Sequence, residues 1–404
     1  MGGNKDTPTM DGPQGKIASL WEVLLVSSKL GLTSFGGPTA HLGYFHNEYV
    51  RKRQWMDERS YADLVALCQF LPGPASSQVG IGIGVIRAGI IGGLIAWIGF
   101  TLPSVIALVL FAFLLKEYDI SNSGWLNGLK IVAVTIVAQA ILGMGQKLTP
   151  DKMRVTLAVL TATIALLWTA VYSQIVLILS AGLIGLWLYR KSAAPQVPGF
   201  VVPISRTVAV LCLTTFVGLF LALPILRQVT GIEWLSLFDY MYRSGSLVFG
   251  GGHVVLPLLE QELVPRGLLS KEDFLAGYGA TQAVPGPLFT FAAYLGAITM
   301  GLSGAIIATV AIFLPAFLLI IGTLPFWSSL RKNQHMQAAL AGINAAVVGI
   351  LLAALYQPLW TTAVMTPADF SLVCILFIML VFWKCPPWFI VITGIIGGMV
   401  FELI

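Results

Sequence analysis

Two short Gly- and Pro-rich motifs each occur twice in this sequence, in the same order. Phe35-Gly36-Gly37 is followed, 35 residues after Gly37, by Pro72-Gly73-Pro74. Phe249-Gly250-Gly251 is followed, 34 residues after Gly251, by Pro285-Gly286-Pro287. In an apolar segment a Pro-Gly-Pro run removes two backbone donors, and its freed peptide groups must line protein or a polar cavity. A helix that restarts there presents free N–H groups, which favour an anion.

Polar side chains flank both Pro-Gly-Pro breaks. Gln69 and Gln282 each lie three residues before their break, and Ser76 and Ser77 follow Pro74. These groups could add hydroxyl and amide contacts to a helix-start anion site. The alternative is that each break is only a kink or a packing hinge.

A second pair of candidate residues is Lys29 and Arg243, each six residues before its F-G-G turn. Cations at membrane depth are costly and usually face a cavity or a partner. A dianion held between the two would gain charge-assisted hydrogen bonds. Two simpler interpretations remain open: Lys29 could extend to the membrane interface, and Arg243 could pair with Asp239 four residues earlier.

Other polar residues recur between the halves or stand alone at helix starts. Lys130, which aligns with Asn344, begins an apolar helix and is a further substrate-contact candidate. Glu48 and Glu262 match at an offset of 214 residues and, with Asp63, are candidates for proton coupling. The alternative is that these carboxylates lie on solvated loops. The predicted substrate site comprises Lys29, Phe35, Gly36, Gly37, Gln69, Pro72, Gly73, Pro74, Ser76, Ser77, Lys130, Arg243, Phe249, Gly250, Gly251, Gln282, Pro285, Gly286, Pro287 and Asn344.

Composition assigns the chain to the membrane. Of 404 residues, 57% are hydrophobic and 10% are charged, and mean hydropathy is +0.87. The uncharged run 88–115 would be about 42 Å long as a helix, enough to cross a bilayer. The four cysteines show no zinc or disulfide spacing, so we expect no metal and no cofactor. The net charge of +5 is spread over loops and indicates membrane topology rather than nucleic-acid binding.

Hydropathy predicts an all-α polytopic protein of about thirteen membrane segments. They lie at 17–36, 63–86, 88–115, 125–145, 153–170, 172–189, 207–226, 235–251, 274–299, 302–323, 338–357, 368–383 and 387–403. The second and the ninth, rich in Gly and Pro, could re-enter rather than span. On this count 14 Lys and Arg lie on the amino-terminal side and 6 on the other, which predicts a cytoplasmic amino terminus. The basic first loop, with Arg51, Lys52, Arg53 and Arg59, argues against that assignment.

The repeated motifs indicate a duplication with Pro/Gly-broken helices. We divide the chain into a tail at 1–16, a first repeat at 17–190, a connecting region with an extra helix at 191–230, and a second repeat at 231–404. An odd displacement between the repeats predicts that they are inverted across the membrane, as in secondary transporters. If segments two and nine re-enter, this segment count makes the repeats parallel instead.

These motifs resemble the chromate ion transporter family in its long, two-domain form. The similarity is carried by F-G-G-P with Q-F-L-P-G-P in the first half and by F-G-G-G-H with Q-A-V-P-G-P in the second. The resemblance implies chromate efflux across the bacterial inner membrane, giving chromate resistance, with proton coupling as one mechanism. Sulfate is the chemically similar alternative substrate, and a second copy of the chain is a candidate partner.

Two other classes of protein are considered. A membrane-embedded enzyme would need a metal or nucleophile motif, and the sequence contains no HExxH and no G-x-S-x-G. A passive anion channel could use the same broken helices and cations. The sequence leaves open the preferred oxyanion, the coupling ion, the direction of transport and the oligomeric state.

Overall fold

A computed structural model describes residues 13–35, 37–117, 124–168, 173–189, 204–249, 252–327 and 333–402, and these residues form helices joined by turns and short connections. Its helices are α1 (Pro13–Thr33), α2 (Gly37–Phe45), α3 (Glu58–Phe70), α4 (Ala75–Glu117), α5 (Gly124–Leu148), α6 (Lys152–Leu167), α7 (Ser173–Leu188), α8 (Arg206–Thr230), α9 (Glu233–Leu247), α10 (Val255–Leu263), α11 (Lys271–Ala283), α12 (Phe291–Thr323), α13 (Gln334–Ala354), α14 (Pro367–Val381) and α15 (Pro387–Glu402). A π-helical turn, His46–Lys52, continues α2, and a second one, Leu355–Trp360, follows α13.

Several helices have the length and apolar surface of membrane spans. Among the described residues, five stretches are long and apolar enough to cross a membrane: Ala75–Lys116, Gly124–Leu148, Arg206–Thr230, Leu288–Phe326 and Gln334–Ala363. Large apolar side chains such as Leu167, Trp187 and Val229 are exposed. A soluble protein rarely exposes so much apolar surface, so these faces lie against lipid.

The F-G-G turn of the first half joins α1 to a helix that runs back alongside it. Glu48 contacts Lys29 near the end of α1, and Arg53 contacts Glu22, which lies closer to the start of α1. The basic segment 51–53 therefore lies beside the first half of α1, not beyond its far end. The hydropathy-based count placed residues 51–53 on the side of the membrane opposite to the amino terminus. It did so because the return helix, α2 with its π-helical turn, is too short and too polar to be recognised as a membrane segment.

The first Pro-Gly-Pro is the tip of a second hairpin, formed by α3 and the first arm of α4 (75–87). A methyl group built on Gly82 would lie 2.9 Å from Leu64 Cδ1. In one continuous helix these residues would be about 27 Å apart. The chain therefore reverses at Pro72-Gly73-Pro74, and the predicted segment 63–86 is the end of one helix and the start of the next.

The chain reverses again inside α4. Ala88 and Gly89 leave helical geometry, Gly89 with φ of 71°. A methyl group on Gly84 would collide with the carbonyl of Gly92, which a straight helix would place about 12 Å away. The second arm (90–117) then runs parallel to α1, with Gly31 packed against the carbonyl of Phe100.

The second half repeats this path. Its Pro-Gly-Pro tip folds α12 back on α11, so that Gly277 packs against the ring of Tyr294. Met300 and Gly301 break α12 as Ala88 and Gly89 break α4, again with positive φ at the glycine. The predicted segment 274–299 is therefore also two helices. Hydropathy missed the return helix α10, as it missed α2.

The remaining helices pack through close glycine contacts. Gly128 on α5 meets the backbone of Gly394 on α15, and Gly342 on α13 meets the backbone of Ala181 on α7. Each pair joins a helix of one half to a helix of the other. Small residues permit such close approach, which is the main source of helix association in lipid.

The α5–α15 contact gives a first testable prediction. Gly128→Val places its side chain against the Gly394 carbonyl, so we expect the melting temperature of the purified protein in detergent to fall by several degrees. Gly143→Val on the same helix is the control, since nothing lies within 4 Å of a methyl group there. Equal melting temperatures for the two variants would contradict this packing.

Candidate oxyanion site

Reciprocal backbone hydrogen bonds bring the breaks of the two halves together. Gly73 N–H donates to the Val248 carbonyl at 2.7 Å, and Gly286 N–H donates to the Ser34 carbonyl at 2.9 Å. Each bond joins a Pro-Gly-Pro tip of one half to the residue just before the F-G-G turn of the other half. Each Pro-Gly-Pro tip therefore lies against the residue before the opposite F-G-G turn, and we call these two contacts together the central junction.

Glycine is required at both Pro-Gly-Pro tips by backbone angle and by space. Gly73 has φ of 115° and Gly286 has φ of 107°, values that other residues rarely adopt. A methyl group on Gly286 would lie 2.8 Å from Ser104 Oγ on the second arm of α4. Glycine thus lets each tip reach the opposite half.

The helix that restarts after Pro74 supplies a polar surface at the junction. Its first turn contains Ser76, Ser77 and Gln78, and all three are buried. Ser76 Oγ is 3.2 Å from His41 Nδ1, and Gln78 Nε2 donates to the Pro72 carbonyl at 2.8 Å. The first turn of this arm also has free backbone donors, so the surface favours an anion.

Several buried polar atoms at this junction have no hydrogen-bond partner among the described residues. They include Ser34 Oγ, His41 Nε2, Ser77 Oγ, Gln78 Oε1, Thr101 Oγ1 and Gln282 Nε2. Buried polar atoms are normally paired, and unpaired ones need an explanation such as a bound ligand. Hydroxyl donors beside a helix start are suited to hold the oxygens of an oxyanion.

The corresponding turn of the second half is more apolar. Leu288, Phe289 and Thr290 follow Pro287, and the Thr290 hydroxyl already donates to the Pro287 carbonyl at 2.7 Å. Phe289 packs on Phe313 with ring centroids 5.9 Å apart. The polar surface at the junction therefore comes mainly from the first half, although the backbone paths are alike.

Lys29 lies in an ion cluster that links the first two helices to α4. Lys29 Nζ is 3.2 Å from Glu48 Oε2, and Arg53 contacts both Glu48 and Glu22 at 3.1 Å. Arg87 contacts Glu22 from the end of the first arm of α4 at 3.1 Å. The first ion cluster comprises Glu22, Lys29, Glu48, Lys52, Arg53 and Arg87. Four cations face two carboxylates, which leaves a positive balance.

Arg243 lies in a matching but more deeply buried cluster. Arg243 Nη2 is 2.8 Å from Glu262 Oε1, and its Nε is 3.5 Å from Asp239 Oδ1. Arg227 also contacts Asp239, at 2.8 Å, and Arg266 contacts Glu262, at 3.0 Å. These five residues form the second ion cluster, with three cations and two carboxylates. Arg227 and Arg266 flank the Tyr240 ring, as Arg53 and Arg87 flank Trp55 in the first cluster.

The coupling candidates are not on solvated loops. Glu48 and Glu262 lie on helical turns and are buried, each held by cations of its own half. Asp63 is also buried and accepts a hydrogen bond from Trp327 Nε1 at 2.9 Å.

The other candidates fall in three places. Phe35, Gly37, Pro72, Pro74, Phe249, Pro285 and Pro287 line the breaks, together with buried Gln282, whereas Gln69 is exposed. Lys130 lies elsewhere, in a cleft of about 380 Å³ with Asn127, Asp369 and Glu402. Asn344 is on α13 near its contact with α7. Gly36, Gly250 and Gly251 lie outside the described residues.

Sequence reasoning missed three residues that the fold brings to the junction. Ser34 directly follows α1, Thr101 lies in the apolar second arm of α4, and Gln78 follows Ser77. Gln78 could have been found from its place in the first turn after the break. Ser34 and Thr101 carry no local signal, because only the packing of α1 and α4 on the second half shows where they lie.

Helices that break where two similar halves meet are typical of membrane transporters. The profile of the family described as "Chromate transporter" matches residues 21–186 and 235–399, which is most of the chain. The chain therefore belongs to the chromate transporter family, and it is a membrane transporter rather than an enzyme.

Named relatives support the same family over nearly the full length. The chain is 29% identical over 333 residues to the uncharacterized transporter MJ0718 of Methanocaldococcus jannaschii, covering 80% of this chain and 81% of that protein. It is 26% identical over 355 residues to the chromate transport protein of Pseudomonas aeruginosa, covering 84% and 81%. For the chromate transport protein of Cupriavidus metallidurans, identity is 24% over 344 residues, covering 83% and 82%. No solved structure matches this chain.

Proposed function

We propose that this protein is a secondary transporter of a tetrahedral oxyanion, with chromate as the first candidate, and that the oxyanion binds at the central junction. The observation that carries the proposal is the meeting of both Pro-Gly-Pro tips with the residues before the opposite F-G-G turns. Ser34 and Ser77, whose hydroxyls have no partner among the described residues, belong to segments that make these contacts, and a helix starts after Pro74. The relatives named as chromate transport proteins supply the choice of substrate. Sulfate has the same shape and charge, and is the alternative substrate.

We also propose that the two halves are inverted across the membrane. The end of the second arm of α12 lies against the first half's hairpins, where Trp327 bonds to Asp63. The end of the second arm of α4 lies against the second half's hairpins, where Phe111 and Tyr294 have ring centroids 5.8 Å apart. In each half, therefore, the second arm of the broken helix ends on the side of the membrane where the hairpins of the other half begin. Parallel repeats would not give this exchange.

This arrangement changes the charge balance used to orient the chain. If α1–α2 and α3 with the first arm of α4 are both re-entrant, the basic segment 51–53 returns to the amino-terminal side. Of the 23 Lys and Arg residues, those left for the other side are Lys116, Lys130, Arg227, Arg243, Arg266 and Lys271. The stronger asymmetry supports a cytoplasmic amino terminus in the bacterial inner membrane.

Efflux coupled to protons is the mechanism that we propose for the cycle. Protonation of Glu48 would weaken its pairs with Lys29, Lys52 and Arg53, and protonation of Glu262 would weaken those with Arg243 and Arg266. Each glutamate joins the two helices on either side of an F-G-G turn. Titration of either one could therefore release a hairpin.

The test is a flux assay in proteoliposomes with chromate, sulfate and molybdate. We expect uphill chromate movement under an imposed pH gradient, and a reduction of about tenfold in Ser77→Ala with Thr101→Val, because two contacts to the oxyanion are lost. Thr163→Val, an exposed hydroxyl on α6, is the control for the loss of a hydroxyl group. Flux that is only downhill would indicate a channel, and absence of oxyanion flux would refute the proposal.

A further inference from the structure

Gln78 places a hydrogen-bond acceptor beside the hydroxyl and backbone donors of the first turn after Pro74. Its Nε2 donates to the Pro72 carbonyl at 2.8 Å, and this bond fixes the orientation of the amide, since the reverse orientation would set two oxygens against each other. The amide is thereby held over the Pro-Gly-Pro tip. Gln78 is completely buried, and its Oε1 has no donor among the described residues.

A fully ionised oxyanion cannot satisfy this atom. Chromate and sulfate dianions have only acceptor oxygens, so a dianion beside Gln78 Oε1 would face a repulsive contact, and the carbonyl oxygen would remain unpaired. A buried acceptor without a donor destabilises the complex. An oxyanion with one hydroxyl group would instead donate to Oε1, and its other oxygens could accept from the donors of the junction.

We propose that the central junction binds the oxyanion in its singly protonated form, with Gln78 Oε1 accepting the hydrogen bond from the oxyanion hydroxyl. This inference rests on the proposed function and specifies the substrate class of that site. A site of this kind distinguishes anions of equal shape by the pKa of the anion. Chromate takes up a proton near neutral pH, whereas sulfate does so only in strong acid. The site would therefore prefer chromate to sulfate without a difference in size.

The charges around the site agree with recognition of a monoanion. Lys29 on α1 is paired with Glu48, and Arg87 at the far end of the first arm is paired with Glu22. Asp63 on α3 bonds to Trp327, and no charged residue occurs in Phe291–Thr323. The charged residues of α11 lie in its first turn, away from the break. His41 on α2 is an ionisable side chain that contacts the first turn of the arm 75–87, through Ser76.

The experiment measures the affinity of the purified protein for chromate and for sulfate by equilibrium titration on both sides of neutral pH. We expect the affinity for total chromate to fall about tenfold per pH unit above the pKa of hydrogen chromate, because one proton is bound with the anion. Sulfate should show no measurable binding over the same range, because almost all of it is the dianion at these pH values. The pH dependence then follows the acidity of the substrate.

Protonation of His41 would give a different result, with affinity for both anions rising together as the pH falls. That outcome, or chromate affinity independent of pH, would overturn the proposal. Binding of neither anion at any pH would instead refute the proposed function itself. The wild-type comparison of the two anions needs no variant, so it stands even if substitutions unfold the protein.

Gln78→Met tests the acceptor directly. We expect chromate affinity on the acidic side of neutral to fall about tenfold, and its pH dependence to flatten, because the oxyanion hydroxyl loses its partner. Gln139→Met, on an exposed position of α5, is the matched control and should bind as the wild type does. Retention of the full pH dependence in Gln78→Met would contradict the assignment.

Discussion

Gly286→Ala is expected to reduce oxyanion transport at least about tenfold while the chain still inserts into the membrane. An alanine at φ of 107° is strained by about 1–3 kcal/mol, and its methyl group would press on Ser104 Oγ. The tip can relieve this strain only by moving, which weakens the Gly286–Ser34 hydrogen bond that joins the halves. The measurement is initial flux per reconstituted protein, with the folded fraction taken from gel filtration.

The control for this substitution is Gly143→Ala on α5. Nothing lies within 4 Å of a methyl group at Gly143, so we expect wild-type flux. Gly73→Ala should behave as Gly286→Ala does, because its φ of 115° and its bond to Val248 are equivalent. Wild-type flux in both tip variants would contradict the view that the two tips build the site.

Arg243→Ala should destabilise the folded protein by about 3–5 kcal/mol, because it leaves buried carboxylates short of a cation. The Arg243 side chain is 6% exposed, and it contacts both Asp239 and Glu262. Lys29→Ala should cost less than about 1 kcal/mol, since Lys29 is 54% exposed and Glu48 keeps Lys52 and Arg53. The measurement is chemical denaturation in mixed micelles for both variants.

Arg243→Lys separates charge from geometry in this cluster. Lysine keeps the charge but cannot bridge Asp239 and Glu262 with one planar group, so we expect intermediate stability. Equal destabilisation by Lys29→Ala and Arg243→Ala would contradict the difference in burial between the clusters. Normal stability of Arg243→Ala with loss of oxyanion binding would instead favour direct contact between Arg243 and the substrate.

The motifs visible in the sequence indicated where the helices break, but not how the chain turns there. Pro72-Gly73-Pro74 and its counterpart were recognisable because Gly and Pro punctuation is rare in apolar helices. The hairpins were not recognisable from the sequence, because a reversal at Gly89 or Gly301 depends on the positive φ of the glycine, which a hydropathy profile does not record. The return helices containing Glu48 and Glu262 were missed for a similar reason: they are short and carry charges that only their partners make tolerable.

The same limit applies to the candidate site. The matching offset of Lys29 and Arg243 suggested one cation pair around a dianion, whereas each cation lies in an ion cluster of its own half. The pairing partners were present in the sequence as Glu48 and Glu262, but their contact requires the reversal at each F-G-G turn. The unpaired hydroxyls of Ser34 and Thr101 became candidates only through tertiary packing, because no motif marks them.

The most direct test of the central junction is to locate a bound oxyanion by anomalous scattering. Chromium scatters X-rays anomalously, so an experimental structure with chromate bound on the acidic side of neutral pH would show the position of the anion without reference to transport. We expect one principal peak at the first turn of the arm 75–87, within hydrogen-bonding distance of Ser77 and Thr101. A principal peak at either ion cluster, or in the cleft beside Lys130, with none at the junction would contradict this account.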